Sequence, residues 1–217
     1  MGVRNSCDLP EFLLRRAPDK GKRAGPGNVP GEHRERALTD RLKELLAQAE
    51  GAGEAPVERW DPPYCGDIGL AIARDGTWHY QGSPILRPAL VKLFARVLRR
   101  DPDGRTYLVT PAERVDVAVA DAPFLAIEME ALGAGRGQAL LFRTNVDDVV
   151  RCGAEHPLRF DVGEADGGLR PYVHVRGRLE ALLARAVVYD LVALADAGPD
   201  GGGTGIWSDG AFFSLPA

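Results

Sequence analysis

From residue 68 onwards, hydrophobic and polar positions alternate with a period of two along much of the chain. The first clear instance places Ile68, Leu70 and Ile72 between small residues, and an aromatic run follows at residues 77–80. An Asp-Gly pair separates the two runs, and this pair tolerates the positive φ that a tight hairpin turn requires. The pattern therefore predicts a β-hairpin over residues 68–80.

The same alternation recurs towards the C-terminus, interrupted by Gly, Pro, Asn and Asp residues that favour turns. Short strands at this close spacing are typical of an antiparallel meander or a small barrel. The predicted strands cover residues 105–109, 114–119, 124–130, 138–143, 148–151, 158–162, 169–175, 204–207 and 211–215.

Three segments show the helical period of 3.6 residues instead of alternation. Leucines recur at helical spacing within residues 32–50, and apolar stripes of the same period cover residues 87–100 and 178–195. These stripes predict amphipathic helices that bury one face against the β-rich part of the chain.

Together the elements predict an α+β fold of two intimately packed β-rich subdomains, each with one amphipathic helix. The predicted subdomains are residues 56–145 and 146–217, preceded by an N-terminal helix and linker over residues 32–55. Residues 1–31 are rich in Arg, Lys, Pro and Gly. Such a composition buries too little apolar surface to offset its ordering entropy, so we expect a disordered basic extension there.

Net charge, cysteine content and the lack of long apolar runs limit which partners and which cellular compartment the sequence predicts. The formal net charge of −4 argues against a nucleic-acid binder, which usually carries a clear basic face. Cys7, Cys65 and Cys152 are sparse and odd in number, which favours free thiols in a reducing compartment. The N-terminus lacks the apolar core of a signal peptide, and no apolar run approaches the ~20 residues of a membrane helix. We therefore expect a cytoplasmic protein without a membrane span.

Residues with catalytic potential are few. Cys65 follows a Pro-Pro-Tyr turn, and with His79 or His174 as base it would make the chain a small cysteine-dependent hydrolase or transferase. The alternative interpretation of Cys65 is a small packed thiol. The histidines are dispersed and no Cys-x-x-Cys pair exists, so the sequence predicts no metal site and no cofactor.

Arginine and aromatic residues offer a different chemistry, because several of them cluster around one predicted strand near residues 170–178. If they converge in a cleft, they would hold a phosphate or carboxylate against an aromatic wall. The alternative is that they form solvated faces and aromatic core. A further alternative is a docking strip at Trp60, Pro62 and Pro63. The candidate ligand-binding residues are Trp78, Tyr80, Arg87, Tyr172, His174 and Arg176.

An ordered series of motifs runs along the chain, and it includes Trp60-Asp-Pro-Pro-Tyr-Cys-Gly-Asp67, Ile72-Ala-Arg-Asp-Gly-Thr-Trp78, Pro171-Tyr-Val-His-Val-Arg176 and Gly205-Ile-Trp-Ser-Asp-Gly-Ala-Phe-Phe213. This series resembles an uncharacterised bacterial family, domain of unknown function 1285 (DUF1285). The resemblance covers residues 56–217, and it implies an α+β fold of two closely associated β-rich parts and no accepted catalytic residues. The expected function is a non-catalytic regulatory or ligand-binding module of the kind used in signalling, with a small anionic ligand or a protein partner.

Overall fold

The computed structural model describes residues 55–163, 167–199 and 202–216. The basic extension and the first helix, predicted over residues 1–50, lie outside the described residues. Within the described ranges, fifteen strands form two six-stranded sheets and one three-stranded sheet. Two α-helices lie between the strands along the chain. The predicted α+β fold of two β-rich subdomains is confirmed.

The first sheet begins with the predicted Asp-Gly hairpin, and its strand order is β3-β2-β1-β6-β5-β4. Helix α1 (Pro88–Arg96) connects β3 to β4, and a 3-10 turn (Val57–Arg59) precedes the sheet. The strands are β1 (Tyr64–Ile72), β2 (Trp78–Tyr80), β3 (Ser83–Pro84), β4 (Leu98–Arg100), β5 (Thr106–Val109) and β6 (Arg114–Val119).

The second sheet has the strand order β10-β11-β12-β7-β8-β9. Helix α2 (Arg185–Val192) follows its last strand and packs on β7 and β11. The strands are β7 (Phe124–Leu132), β8 (Ala139–Thr144), β9 (Val149–Arg151), β10 (Leu158–Val162), β11 (Leu169–Arg176) and β12 (Leu179–Leu183).

Both sheets repeat one topology, in which the first and last strands pair in parallel at the centre. In the first sheet Leu70 of β1 lies opposite Val117 of β6. In the second sheet Leu125 of β7 lies opposite Leu182 of β12. The remaining pairs are antiparallel, so each half is a mixed sheet rather than a simple meander.

A third, small sheet closes the described chain. Its strands are β13 (Asp196–Ala197), β14 (Thr204–Ser208) and β15 (Ala211–Ser214). Buried Ser208 fixes this sheet to the second one, because its hydroxyl accepts a hydrogen bond from the Leu140 N–H at 2.9 Å and donates to the Cys152 carbonyl at 2.8 Å. Asp209 is thereby held beside the second sheet.

Two predicted helices are shorter in the structure. The helix predicted over residues 87–100 ends at Arg96, and Leu98–Arg100 forms β4 because this segment pairs with β5. The helix predicted over residues 178–195 is α2 alone. Its first part is β12, where buried Leu179, Ala181 and Leu183 alternate with half-buried residues, a pattern that fits a strand as well as a helical stripe.

The division between the sheets lies before Phe124, whereas the sequence predicted it after residue 145. The parallel pairing of β7 with β12 brings residues 124–144 into the second sheet. One contiguous hydrophobic core spans both sheets. In the described part of the chain no helix has the length and apolar character needed to cross a membrane.

Candidate functional site

The predicted ligand-binding residues in the first half of the chain differ in their burial. Trp78 is 1% exposed and packs on Phe94 of α1 with ring centroids 5.8 Å apart. Tyr80 is half-buried against the core. Arg87 precedes α1, and its carbonyl accepts the Leu90 N–H at 3.0 Å. Trp78 therefore contributes to packing in the core, whereas Arg87 is exposed.

Tyr172 on β11 is buried, and its contacts are internal. Its hydroxyl donates to Asp121 at 2.8 Å, and the Arg159 guanidinium lies 4.1 Å from the ring centroid. Asp121 also pairs with Arg74 at 3.3 Å and with Arg170 at 4.0 Å. Burial, and then the bond to Asp121, raise the pKa of Tyr172 to about 12. The ring thus belongs to a polar network beside the segment that joins the two sheets.

Arg176 at the end of β11 connects the two halves of the molecule. Its guanidinium donates to the Ala95 carbonyl at 2.6 Å and to Asp148 at 2.7 Å. It also lies 5.1 Å from the ring centroid of Phe124. Because Ala95 lies in the last turn of α1, the positive charge also complements the negative end of that helix.

His174 on β11 stacks near a second histidine, His156, with ring centroids 5.5 Å apart. Nδ1 of His156 lies 3.2 Å from the carbonyl of His174, and Nε2 of His174 lies 2.9 Å from the carbonyl of Gly177. A carbonyl only accepts, so these two nitrogens carry the protons. The neutral ring of His156 is then left with Nε2 as an acceptor.

His156 borders a cleft of about 600 Å³ between β9, the turn that follows β9, and the end of β11. This volume falls in the range of ligand-binding clefts. Of the six predicted ligand-binding residues only Arg176 lines it. The charged and titratable residues of the wall are Asp148, Arg151, Glu155, His156, Arg176 and Asp209.

Both arginines of the cleft already bind a carboxylate. Arg176 pairs with Asp148, and Arg151 pairs with Asp209, each at 2.7 Å. The hydrogen bond from Arg151 lowers the pKa of Asp209. Glu155 is exposed and makes no ion pair within the described ranges, so three carboxylates face two guanidinium groups. The cleft wall therefore carries one excess negative charge when His156 is neutral.

One wall of the cleft is the unpaired edge of β9. The Cys152 N–H donates to the Leu140 carbonyl of β8 at 2.8 Å, and in an antiparallel ladder only alternate residues exchange such bonds. Val150 therefore faces β8, while the backbone N–H and C=O of Val149 and Arg151 point outwards. These groups form no hydrogen bond within the part of the chain that the structure describes.

Sequence reasoning missed this edge and its neighbours Arg151 and Glu155. The available signal was the length of β9, since a predicted strand of a few residues with charges beside it is typical of a sheet edge. The position of Asp209 beside the edge arises from the long-range docking of the small sheet, which local patterns do not reveal.

One of the two predicted cysteine–histidine pairs, Cys65 with His79, is far apart in the structure. Cys65 lies near the start of β1, and His79 pairs with Ala71 near its end. Six residues of strand span about 20 Å, far beyond the hydrogen-bond reach that a nucleophile and its base require. Cys152 is fully buried, and burial raises its pKa to about 12. No group of three His, Cys, Asp or Glu side chains suited to a metal ion occurs among the described residues.

The predicted docking strip is largely packed against the chain itself. Pro62 is buried, Trp60 is half-buried against the core, and only Pro63 is exposed. The Trp60 carbonyl accepts a hydrogen bond from Arg99 at 2.7 Å. The strip therefore anchors the start of the first sheet.

Comparisons with known proteins agree with the two-sheet division. The family model "Domain of unknown function (DUF1285), N-terminal domain" matches residues 55–122, and "Protein of unknown function (DUF1285), C-terminal domain" matches residues 123–215. No curated protein matches the chain.

Two crystal structures of DUF1285 family proteins are similar to this chain. The protein from Silicibacter pomeroyi DSS-3 is 49% identical, with a TM-score of 0.72 over 79% of this chain and 93% of that one. The protein from Shewanella baltica OS155 is 24% identical, with a TM-score of 0.47 over 59% and 94%. Because the two family models together cover most of its length, the chain belongs to the DUF1285 family.

Proposed function

We propose that the protein is a non-catalytic interaction module, and that its cleft receives an extended segment of a partner protein as an added strand along β9. The observation that supports this proposal is the outward-facing backbone of Val149 and Arg151 on the wall of the cleft. Unpaired strand edges are templates for pairing with another chain.

The side chains at this edge suit such a segment. Val149 is 62% exposed, so it offers an apolar contact to a residue opposite it. Arg151 lies two positions along the same face, held by Asp209. Backbone hydrogen bonds would supply affinity, and these alternate side chains would supply specificity. Reversible binding of this kind supports a regulatory role of the sort found in signalling.

A small anion, the other predicted ligand, is less well supported. An anion would have to displace Asp148 or Asp209 from its arginine, and the displaced carboxylate would remain in the same cleft. A strand needs no displacement, because it bonds to backbone groups that have no partner within the described residues. We therefore favour the protein partner over the small anion.

The test begins with selection of random linear peptides on the full chain. A selected peptide is titrated into labelled protein, and heteronuclear NMR follows the backbone amides. We expect the largest shifts at Val149 and Arg151. Shifts confined to residues away from the cleft would overturn the proposal.

Substitutions at Val149 separate backbone pairing from side-chain contact. Val149→Pro removes the outward N–H but leaves the β8–β9 ladder intact, because the Val149 N–H is not part of it. Val149→Ala keeps the N–H and removes most of the side chain. Strand addition predicts that Val149→Pro abolishes peptide binding while Val149→Ala only weakens it. Equal binding by Val149→Pro and the wild type would contradict strand addition.

A further inference from the structure

The charge on the cleft wall indicates which segment β9 would accept. We infer that the added segment carries a lysine or arginine side chain that pairs with Glu155, an inference that rests on the function proposed above. The carboxylates of Asp148 and Asp209 are neutralised by Arg176 and Arg151. Glu155 has no such partner in the described ranges, so the excess negative charge resides there.

The position of Glu155 fixes where the cation would fall. The chain leaves β9 through a turn in which the Gly153 N–H donates to the His156 carbonyl at 3.2 Å, and Glu155 lies within this turn. Both Glu155 and His156 line the cleft beyond the Arg151 end of the strand. A basic side chain would therefore belong to the part of the segment that runs past Arg151.

His156 adds a second acceptor at the same place. Its Nδ1 donates to the His174 carbonyl, so in the neutral form of the ring the remaining nitrogen accepts rather than donates. An ammonium or guanidinium group offers several donors and no acceptor. Glu155 and His156 together thus favour a cationic group over a carboxylate or a phosphate.

The exposed side chain of Val149 sets the spacing. An apolar residue of the segment would lie opposite Val149, and the basic residue would lie several positions further along, past the residue opposite Arg151, because Glu155 follows the end of β9. A β-branched or aromatic residue suits the position opposite Val149, because such pairs stabilise antiparallel strands. The expected recognition pattern is an apolar residue and a basic residue at this spacing.

The experiment compares selected peptides on wild-type full-length protein, on Glu155→Gln and on Asp190→Asn. Asp190 is exposed on α2, away from the cleft, so Asp190→Asn removes one negative charge elsewhere. We expect enrichment of Lys or Arg at the predicted spacing. Fluorescence anisotropy should show about two- to fivefold weaker binding to Glu155→Gln and unchanged binding to Asp190→Asn.

Exchanging the charges of Glu155 and of the basic residue of the peptide tests whether these two residues pair. Glu155→Lys should bind a basic peptide more weakly still, and replacing the basic residue of the peptide with Glu should restore binding to this variant. Peptides that shift the Val149 and Arg151 amides but show no basic preference would overturn this inference and leave the proposed function standing. A selection that yields no peptide shifting those amides would overturn both.

Discussion

At the scale of single residues, Arg176 illustrates how a predicted ligand-binding residue can have internal partners. The sequence places it among arginines and aromatics at one strand end, which is the pattern of an anion site. In the fold, its guanidinium contacts the last turn of α1, Asp148 and the ring of Phe124. These contacts connect the first half of the molecule to the second, so Arg176 is important for stability.

Replacing Arg176 with Ala should lower the free energy of unfolding by about 2 to 3 kcal/mol, because the Ala95 carbonyl and Asp148 both lose their donor. Urea denaturation measures the change. Arg178→Ala is the matched control, since Arg178 is exposed, and it should change stability by less than about 0.5 kcal/mol. Equal effects of the two substitutions would show that the Arg176 contacts contribute nothing.

The raised pKa of Tyr172 predicts how the stability of the protein changes at alkaline pH. Its pKa is about 12 in the folded protein and about 10 in an unfolded chain. The unfolded state therefore loses the proton first, so the stability from this group is complete below pH 10 and is lost as the pH rises towards 12. Unfolding free energies over this range should fall more steeply for the wild type than for Tyr172→Phe, by up to about 2 kcal/mol in total. If the unfolding free energies of the two proteins changed with pH in parallel, the raised pKa of Tyr172 would be contradicted.

At the scale of elements, the sequence pattern predicts those strands whose formation depends on neighbouring residues along the chain. The Asp-Gly hairpin and the strands from β5 to β11 follow from alternation and turn residues. The local pattern does not predict β4 and β12, because both lie within segments of helical period: β4 at the end of the helix predicted over residues 87–100, and β12 at the start of the helix predicted over residues 178–195. β12 becomes a strand through its parallel pairing with β7, more than fifty residues away along the chain, and β4 is held by the buried side chain of Arg99. The cleft lies in the second sheet, which the long-range β7–β12 pairing assembles, and this explains why Arg176 is the one predicted ligand-binding residue that lines it.

The anchoring of β4 is testable at Arg99, which is only 7% exposed. Its guanidinium donates to the carbonyls of Val57 and Trp60, each at 2.7 Å, and its Nε donates to Asp101 at 2.6 Å. Arg99→Leu should destabilise the protein by about 3 kcal/mol, because two carbonyls lose their donor and a carboxylate loses a charge partner.

Arg100→Leu serves as the control for Arg99→Leu. Arg100 is the next residue of the same strand and is only half-buried. Among the described residues its side chain donates one hydrogen bond, to the Gly104 carbonyl at 3.2 Å. Urea denaturation should show a small change for this variant. A loss as large as that of Arg99→Leu would mean that strand propensity, rather than the Arg99 hydrogen bonds, holds β4 in place.

At the scale of the whole molecule, two sheets of one topology share a contiguous core and leave different edges exposed. The edge strand β4 is covered by the 3-10 turn that Arg99 holds. The edge strand β9 borders a cleft instead. β9 thus combines an unpaired strand edge with a cleft, and we propose this edge as the interaction surface.

Hydrogen exchange of the β9 amides tests the central proposal most directly. In the free protein, Val149 and Arg151 should exchange quickly, while Val150 and Cys152, which bond to β8, should be protected. Addition of a selected peptide should slow exchange at Val149 and Arg151 and leave Val150 and Cys152 protected. If a bound peptide leaves the exchange of Val149 and Arg151 unchanged, then β9 does not receive a strand and the proposed function is wrong.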